Sequence, residues 1–173
     1  IIVTTLDVVR YSFLIATLVA AHQPLLLVGP TGTGKSSYIK AHLATGLDRK
    51  TWMSMVFNFS AQTSTSMTQD MIDGKLDKRR KGVYGPPVNK HAVVFMDDLN
   101  MPQVEKYGAQ PPIELLRQVM DHGGWYDRTD NSFRRLVDLQ FVAAMGPPGG
   151  GRNPVTNRYT RHFHALYATE FND

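Results

Sequence analysis

The sequence predicts an α/β fold in which a five-stranded parallel sheet is sandwiched by helices and carries β-hairpin insertions. Short apolar runs alternate with segments of helical periodicity. A glycine-rich loop separates the first apolar run from a helix, and the third run ends in two aspartates. With 173 residues, 42% of them hydrophobic, the chain is expected to form one domain, residues 1–173, with a buried core.

Five apolar runs are predicted as the strands of the sheet. Each is short and is bounded by glycine, proline or polar residues. Runs that are apolar throughout, rather than alternating, are typical of parallel strands buried on both faces. In chain order the predicted strands lie at residues 25–28, 52–59, 91–98, 139–145 and 165–168.

Helices are predicted between these strands. They lie at residues 6–21, 37–43, 67–76 and 113–122, with a short helix within residues 154–163. In the first helix the apolar residues at helical spacing are Leu6, Val9, Phe13, Ala16 and Ala20. These residues are therefore expected to share one face of that helix.

Two insertions are predicted from their turn residues, the first as a hairpin or a protruding turn and the second as a β-hairpin. They lie near residues 82–87 and 125–135. The first follows a basic cluster formed by Lys75, Lys78, Arg79, Arg80 and Lys81. This cluster is interpreted as a solvated face rather than a nucleic-acid contact, because no aromatic residues interleave it for base stacking.

Residues 29–36 read Gly-Pro-Thr-Gly-Thr-Gly-Lys-Ser, which matches the Walker A pattern G-x-x-x-x-G-K-[ST] between a strand and a helix. The glycines let successive backbone N–H groups surround a phosphate, and the following helix adds the positive end of its dipole. Lys35 is expected to reach the β- and γ-phosphates. The segment therefore predicts that the chain binds a nucleoside triphosphate, or descends from a protein that did.

The predicted nucleotide-binding residues belong to this loop, to the start of the following helix and to the N-terminal segment. They are Gly29, Pro30, Thr31, Gly32, Thr33, Gly34, Lys35, Ser36, Ser37 and Val3. Val3 is included because an apolar segment before a Walker A loop can line a slot for the adenine ring. Simple core packing is the alternative for this segment and for the first helix.

The third apolar run predicts the catalytic end of the site. It ends in Asp97 and Asp98, and the carboxyl ends of parallel strands form the ligand-binding edge of such sheets. Asp97, together with the Ser36 hydroxyl, is expected to hold Mg²⁺. Asp98 stands where a general base would polarise the attacking water.

Composition excludes several classes of protein. The chain contains no cysteine, which excludes disulfides and thiolate metal sites. No apolar run approaches the ~20 residues that cross a bilayer, and no signal peptide is recognisable, so no membrane partner is expected. The net charge of +4 is modest and does not require a polyanionic partner. Because the chain begins at Ile1 without Met, we expect a piece of a longer protein.

The order of these motifs resembles the large subdomain of an AAA+ ATPase, since a whole strand–helix pair separates the Walker A unit from the aspartate strand. This resemblance implies the sheet order 5-1-4-3-2. The stretches at residues 94–102, 107–118 and 146–156 look like the third AAA+ module of an axonemal-type dynein heavy chain. The resemblance covers essentially all of the chain.

The resemblance implies a motor of the cytoplasmic cytoskeleton, in the axoneme of a cilium or flagellum. Six AAA+ modules would form one ring in the same heavy chain, with a linker and a stalk that binds microtubules through parts outside this chain. The small helical lid of the module is also expected outside the 173 residues. The two hairpins would be insertions on the face of the ring.

The resemblance also assigns roles to single residues. Asn58 matches the polar residue that engages the catalytic carboxylate. Arg158 and Arg161 match the arginine-finger region, which acts on the nucleotide of the neighbouring module. A surface arginine paired with an acid is the alternative for either.

Two residues depart from the family pattern. Asp98 stands where most active members have Glu, and Gly146 stands where a sensor asparagine is usual. Asn153 is a candidate substitute for that asparagine. Because of these departures, an ATP-hydrolysing motor module and a nucleotide-binding module that hydrolyses slowly or not at all both remain open. A third hypothesis, a nucleic-acid-remodelling ATPase, rests only on the basic cluster and the mild positive charge.

Overall fold

The computed structural model describes residues 5–170, which contain nine strands and five α-helices. The strands are β1 (Leu25–Val28), β2 (Trp52–Asn58), β3 (Asp77–Arg80), β4 (Val83–Gly85), β5 (His91–Asp97), β6 (Gly124–Tyr126), β7 (Phe133–Leu136), β8 (Leu139–Met145) and β9 (His164–Tyr167). The helices are α1 (Leu6–Ala20), α2 (Lys35–Ala41), α3 (Thr65–Asp73), α4 (Pro111–His122) and α5 (Asn157–Thr160), and a π-helical turn, His42–Gly46, extends α2.

The main sheet has the order β2-β5-β8-β1-β9, and all four pairings are parallel. Counted along the chain, these are the predicted strands two, three, four, one and five. The predicted order 5-1-4-3-2 is therefore confirmed, as is the five-stranded α/β fold.

The core consists of two layers, one on each face of this sheet. Along β5, Val94 and Met96 pack against α4, whereas Val93 and Phe95 pack against α1 and α2. Every residue of β5 after His91 is buried. This double burial explains why the strand is a continuous apolar run rather than an alternating one.

Helix α1 packs on the core through residues other than the apolar set singled out in the sequence. Leu6, Val9 and Phe13 are 65%, 52% and 69% exposed, while Ile15 and Val19 are buried. The helix carries apolar residues all round, so its periodicity did not identify the packed face. Core packing, one of the two alternatives for this helix, therefore does not describe Leu6, Val9 and Phe13.

Local signals explain the differences at the ends of elements. Helix α3 begins at Thr65, earlier than predicted, because the Ser64 hydroxyl accepts a hydrogen bond from the Met67 N–H. Helix α4 begins at Pro111, since proline fits the first helical turn. Strand β5 ends at Asp97 rather than at Asp98.

The two predicted hairpins are confirmed, and they join in a second sheet of order β3-β4-β7-β6. The β3–β4 and β6–β7 pairs are antiparallel hairpins, whereas β4 and β7 pair in parallel between them. Arg79 of the basic cluster donates to the carbonyl of Pro86 at 2.7 Å and pairs with Asp138 at 3.2 Å. This arginine therefore holds the first hairpin against the segment that leads into β8.

Truncating Ile15 to Ala should destabilise the fold much more than the same change at Phe13. Ile15 is fully buried against the sheet, so its loss should lower the free energy of unfolding by about 2–5 kcal/mol. Phe13→Ala, an exposed position on the same helix, should change it by less than about 0.5 kcal/mol. Urea unfolding of both variants measures this difference. The reverse ranking would mean that α1 packs through Phe13 rather than through Ile15.

Candidate nucleotide-binding site

A cavity of about 320 Å³ lies at the carboxyl ends of β1, β5 and β8. Eight residues predicted from the sequence line it together: Thr31, Gly32, Gly34, Lys35, Ser36, Ser37, Asp97 and Asp98. The lining also includes Gly146 and Arg152. The residues from the two predicted motifs therefore meet at one edge of the sheet, although about sixty positions separate them along the chain.

The glycine-rich loop is closed by its own polar atoms. The Thr33 hydroxyl donates to the Pro30 carbonyl at 2.9 Å, and Gly34 caps α2 in a left-handed conformation with φ +79°. A Cβ at Gly34 would come within 2.6 Å of the Tyr38 ring. Glycine is required there for both reasons, and the loop delivers the next residue, Lys35, to the start of α2.

The Lys35 ammonium is held inside this loop. Its Nζ donates to the Pro30 carbonyl and to the Thr33 hydroxyl. Burial lowers the pKa of Lys35, and the nearby Arg152 charge lowers it further, whereas Asp98 and Asp97 raise it. Both hydrogen-bond acceptors are neutral oxygens, so a phosphate oxygen is a stronger partner for this cation.

Asp97 is a buried carboxylate with a partner on each oxygen. The Ser36 hydroxyl donates to Oδ1 at 2.6 Å, and the Lys40 ammonium donates to Oδ2 at 2.8 Å. A hydroxyl beside a carboxylate is the pair of hard oxygen ligands that suits Mg²⁺ in P-loop proteins. Sequence reasoning missed Lys40; its position four residues after Ser36, on the same face of α2, was the available signal.

Asp98 lies one residue beyond β5 in the left-handed region, with φ +53°. Aspartate tolerates this conformation better than most residues. Its side chain is 49% exposed, and Oδ1 lies 3.6 Å from Arg152 Nη2. The two successive aspartates therefore separate: one is buried against Ser36 and Lys40, and the other faces Arg152 near solvent.

The remaining predicted residues lie around the cavity or outside the described part of the chain. Asn58 is exposed at the carboxyl end of β2, opposite Asp97 in the strand register, but is not among the lining residues. Gly29, Pro30 and Thr33 belong to the loop without lining the cavity. Val3 lies outside residues 5–170.

The interpretation of Asn153 as a substitute for the sensor asparagine was wrong. Its side-chain amide donates to the Pro102 carbonyl at 2.9 Å, and Asn153 does not line the cavity. Arg152, one residue earlier, does line it. Sequence reasoning missed this arginine because its glycine-rich surroundings carry no helical or strand periodicity.

The two candidate finger arginines differ in their surroundings. Arg161 donates to Asp121 Oδ1 at 2.8 Å, and this hydrogen bond is the main reason that the pKa of Asp121 falls to about 2. Arg158 is exposed on α5 and forms no ion pair with the residues described. The alternative of an arginine paired with an acid therefore describes Arg161, and Arg158 is the freer of the two.

No helix within residues 5–170 has the length and the apolar character needed to cross a bilayer. The same part of the chain contains no group of three or more His, Asp or Glu residues able to bind a metal ion by themselves.

Comparison with known proteins places the chain in one family. A family described as the P-loop containing dynein motor region matches residues 1–171. Similar proteins include dynein axonemal heavy chain 12 of Mus musculus, which is 54% identical over 173 residues, or 100% of this chain and 6% of that protein.

Two further relatives show the same pattern. Dynein axonemal heavy chain 1 of Rattus norvegicus is 55% identical over 174 residues, covering 100% of this chain and 4% of that protein. Dynein axonemal heavy chain 3 of Homo sapiens is 52% identical over 172 residues, covering 99% of this chain and 4% of that protein. The chain thus spans a small part of the length of each of these relatives, and it belongs to the P-loop motor region of the dynein heavy chain family.

Proposed function

We propose that this chain is an ATP-binding AAA+ module of an axonemal dynein heavy chain, which binds ATP or ADP with Mg²⁺ and hydrolyses ATP slowly to regulate the motor. One observation carries the proposal. Lys35, Ser36, Asp97 and Asp98 line a single cavity at the edge of the sheet where ligands bind in open α/β folds. The chemistry of the lining suits a magnesium–nucleotide complex.

The setting of the module is also a proposal. Residues 1–173 are its large subdomain, in the third position of a ring, and a small lid and neighbouring modules outside this chain complete the site. The three relatives named above are axonemal heavy chains, which supports a place in an axoneme and a link to microtubules through other parts of the heavy chain. Arg158, exposed on α5, is the preferred finger toward the neighbouring module's nucleotide.

The residues of the cavity divide the chemistry between them. Lys35 binds the β- and γ-phosphates, while Ser36 and Asp97 hold Mg²⁺, which neutralises phosphate charge when bound. Asp98 is half exposed, so water can reach the carboxylate that would polarise it. Asn58, at the end of the adjacent strand β2, is the candidate partner that orients this carboxylate when nucleotide is bound.

The alternative is a nucleotide-binding module that does not hydrolyse ATP. Two observations favour it over rapid hydrolysis: the Asp98 side chain is one methylene shorter than glutamate, and it faces the Arg152 cation at 3.6 Å. Both reduce the ability of this carboxylate to polarise an attacking water. A nucleic-acid-remodelling role is weaker still, because Arg79 of the basic cluster binds the chain's own Pro86 and Asp138.

Lys35→Ala should abolish nucleotide binding by this module. For the unmodified chain, saturating Mg-ATP at about 100 times the dissociation constant should stabilise the fold by about 2.7 kcal/mol. Thermal unfolding with and without nucleotide measures the shift, which the variant should lose. The control is Lys50→Met, which removes an exposed cation in the loop before β2. The proposal would be contradicted if the melting temperature of the folded, unmodified chain did not change in millimolar Mg-ATP or Mg-ADP.

Lys40→Met should lower the magnesium concentration needed for nucleotide binding. The Lys40 ammonium occupies Asp97 Oδ2, so it competes with the metal for that carboxylate. Because Lys40 is 44% exposed, we expect a shift of only about 2- to 5-fold in the half-saturating Mg²⁺ concentration. A titration of Mg²⁺ at fixed ATP, with Lys50→Met as the control, measures it. An increased requirement would instead mean that Lys40 positions Asp97 for the metal.

Asp98→Glu should raise ATP turnover in the intact heavy chain. The added methylene moves the carboxylate toward the attacking water, and correcting a misplacement of about 1 Å can restore about 100-fold in rate. Single-turnover hydrolysis, compared between the unmodified chain, Asp98→Glu and the uncharged Asp98→Asn, measures the effect. If Asp98→Glu is no faster than the unmodified chain, the short side chain is not what limits this site.

A further inference from the structure

We infer that Arg152 recognises the γ-phosphate of the ATP bound to this module. The arginine can occupy the required position because Gly146 has no side chain. The inference rests on the proposed nucleotide binding and goes beyond it, because it makes Arg152 the source of discrimination between ATP and ADP. Four features of the structure support it: the position of the guanidinium in the cavity, its Nε left unpaired by the described residues, the absence of a side chain at Gly146, and the hydrogen bonds of the loop.

The guanidinium lies inside the nucleotide cavity. Arg152 lines it together with Lys35 and Asp98, and its Nη2 is 3.6 Å from Asp98 Oδ1. Asp98 is the residue expected beside the γ-phosphate, so Arg152 lies at the same end of the cavity. Three cations, Lys35, Lys40 and Arg152, thus accompany two carboxylates, and the excess positive charge favours an anionic ligand.

Arg152 has hydrogen-bonding capacity that the described residues do not use. Its Nε is buried and has no hydrogen-bond partner, and the 3.6 Å contact with Asp98 is too long for a good hydrogen bond. A buried donor without an acceptor is unfavourable, so a ligand oxygen that accepts from Nε would remove this cost. The planar fork of a guanidinium can donate to two oxygens of one phosphate. The Asp98 carboxylate, at 3.6 Å, does not provide such a two-point contact.

Gly146 is what allows the arginine to occupy this position. A Cβ on Gly146 would lie 2.5 Å from Arg152 Nε and 2.6 Å from its Cδ. Any larger residue at position 146 would therefore displace the arginine from its present path. The glycine that stands in place of a sensor asparagine leaves space for the side chain of Arg152, six residues later in the chain.

The loop holds the backbone of Arg152 in place. Arg152 and Gly149 exchange two backbone hydrogen bonds of 2.9 and 3.0 Å, and the glycines at 149–151 all have positive φ, so the chain turns back at once toward β8. The next residue, Asn153, donates its backbone N–H to the Asn100 carbonyl, and the Asn100 side chain donates to the Gly146 carbonyl at 2.8 Å. These contacts tie both ends of the loop to the segment that follows Asp98.

A purely structural role for Arg152 makes a different prediction from phosphate recognition. If the arginine only holds Asp98 or the loop, removing it should affect ATP and ADP alike, or neither. If it binds the γ-phosphate, removing it should weaken ATP and leave ADP nearly unchanged, since ADP lacks that group. The ratio of the two affinities therefore separates the two roles.

The test is equilibrium binding of Mg-ADP and of a non-hydrolysable Mg-ATP analogue to the intact heavy chain. The part of the binding that Lys35→Ala removes is assigned to this module. Arg152→Ala should weaken the ATP analogue by about 10- to 100-fold, the range for a hydrogen bond between charged groups, and change ADP by less than about 2-fold. Retained ADP binding shows that the site remains folded. Arg135→Ala, an exposed arginine of the second sheet, should change neither affinity.

A double-mutant cycle tests the role of Gly146. Gly146→Ala alone should reproduce the ATP-selective loss because its Cβ displaces Arg152, but it should add nothing in an Arg152→Ala background. Arg152→Lys, which keeps the charge and loses the fork, should give an intermediate loss. Equal effects of Arg152→Ala on both nucleotides, or no effect, would overturn the inference while leaving nucleotide binding intact. If Lys35→Ala removes no binding, the proposed function itself fails.

Discussion

The parallel hydrogen-bonded ladder of the main sheet is the constraint on which the whole site depends. It continues past the ends of the strands: the Gly29 N–H donates to the Met145 carbonyl at 3.2 Å, and the Leu99 N–H donates to the Ala144 carbonyl at 3.0 Å. These two bonds tie the first residue of the glycine-rich loop and the segment after Asp98 to the end of β8. The glycine-rich loop and the segment that carries the aspartates are therefore held together by backbone geometry.

Within that frame, the charged residues of the cavity differ in burial and in their partners. Lys35 and Asp97 are buried on rigid elements, and each has several hydrogen-bond partners. Asp98 lies on a left-handed turn, half exposed, and faces a second cation, Arg152. The cavity thus combines two buried, hydrogen-bonded charges with a half-exposed carboxylate that faces a cation.

Several parts of the fold followed from the sequence because their physical cause is local or repeats along the chain. Strand β5 is apolar throughout because both of its faces are covered, and that pattern is visible without coordinates. Helix α1 shows the limit: with apolar residues all round, it gave no signal that Ile15 rather than Phe13 faces the core. The joining of the two hairpins through β4 and β7 was also hidden, because residues some fifty positions apart carry no local sign of pairing.

The sequence by itself determined the glycine-rich loop, the aspartates at the end of β5 and the order of the strands, since short contiguous motifs and the family pattern carry them. Only the tertiary structure decided which side chains share the cavity. Lys40 reaches Asp97 across the gap between α2 and β5, and Arg152 enters through the space at Gly146. Both contacts depend on the direction of side chains after distant segments have packed, and no local periodicity encodes that direction. Gly146, which departs from the family's sensor asparagine in the sequence, leaves space in the folded chain for the Arg152 side chain.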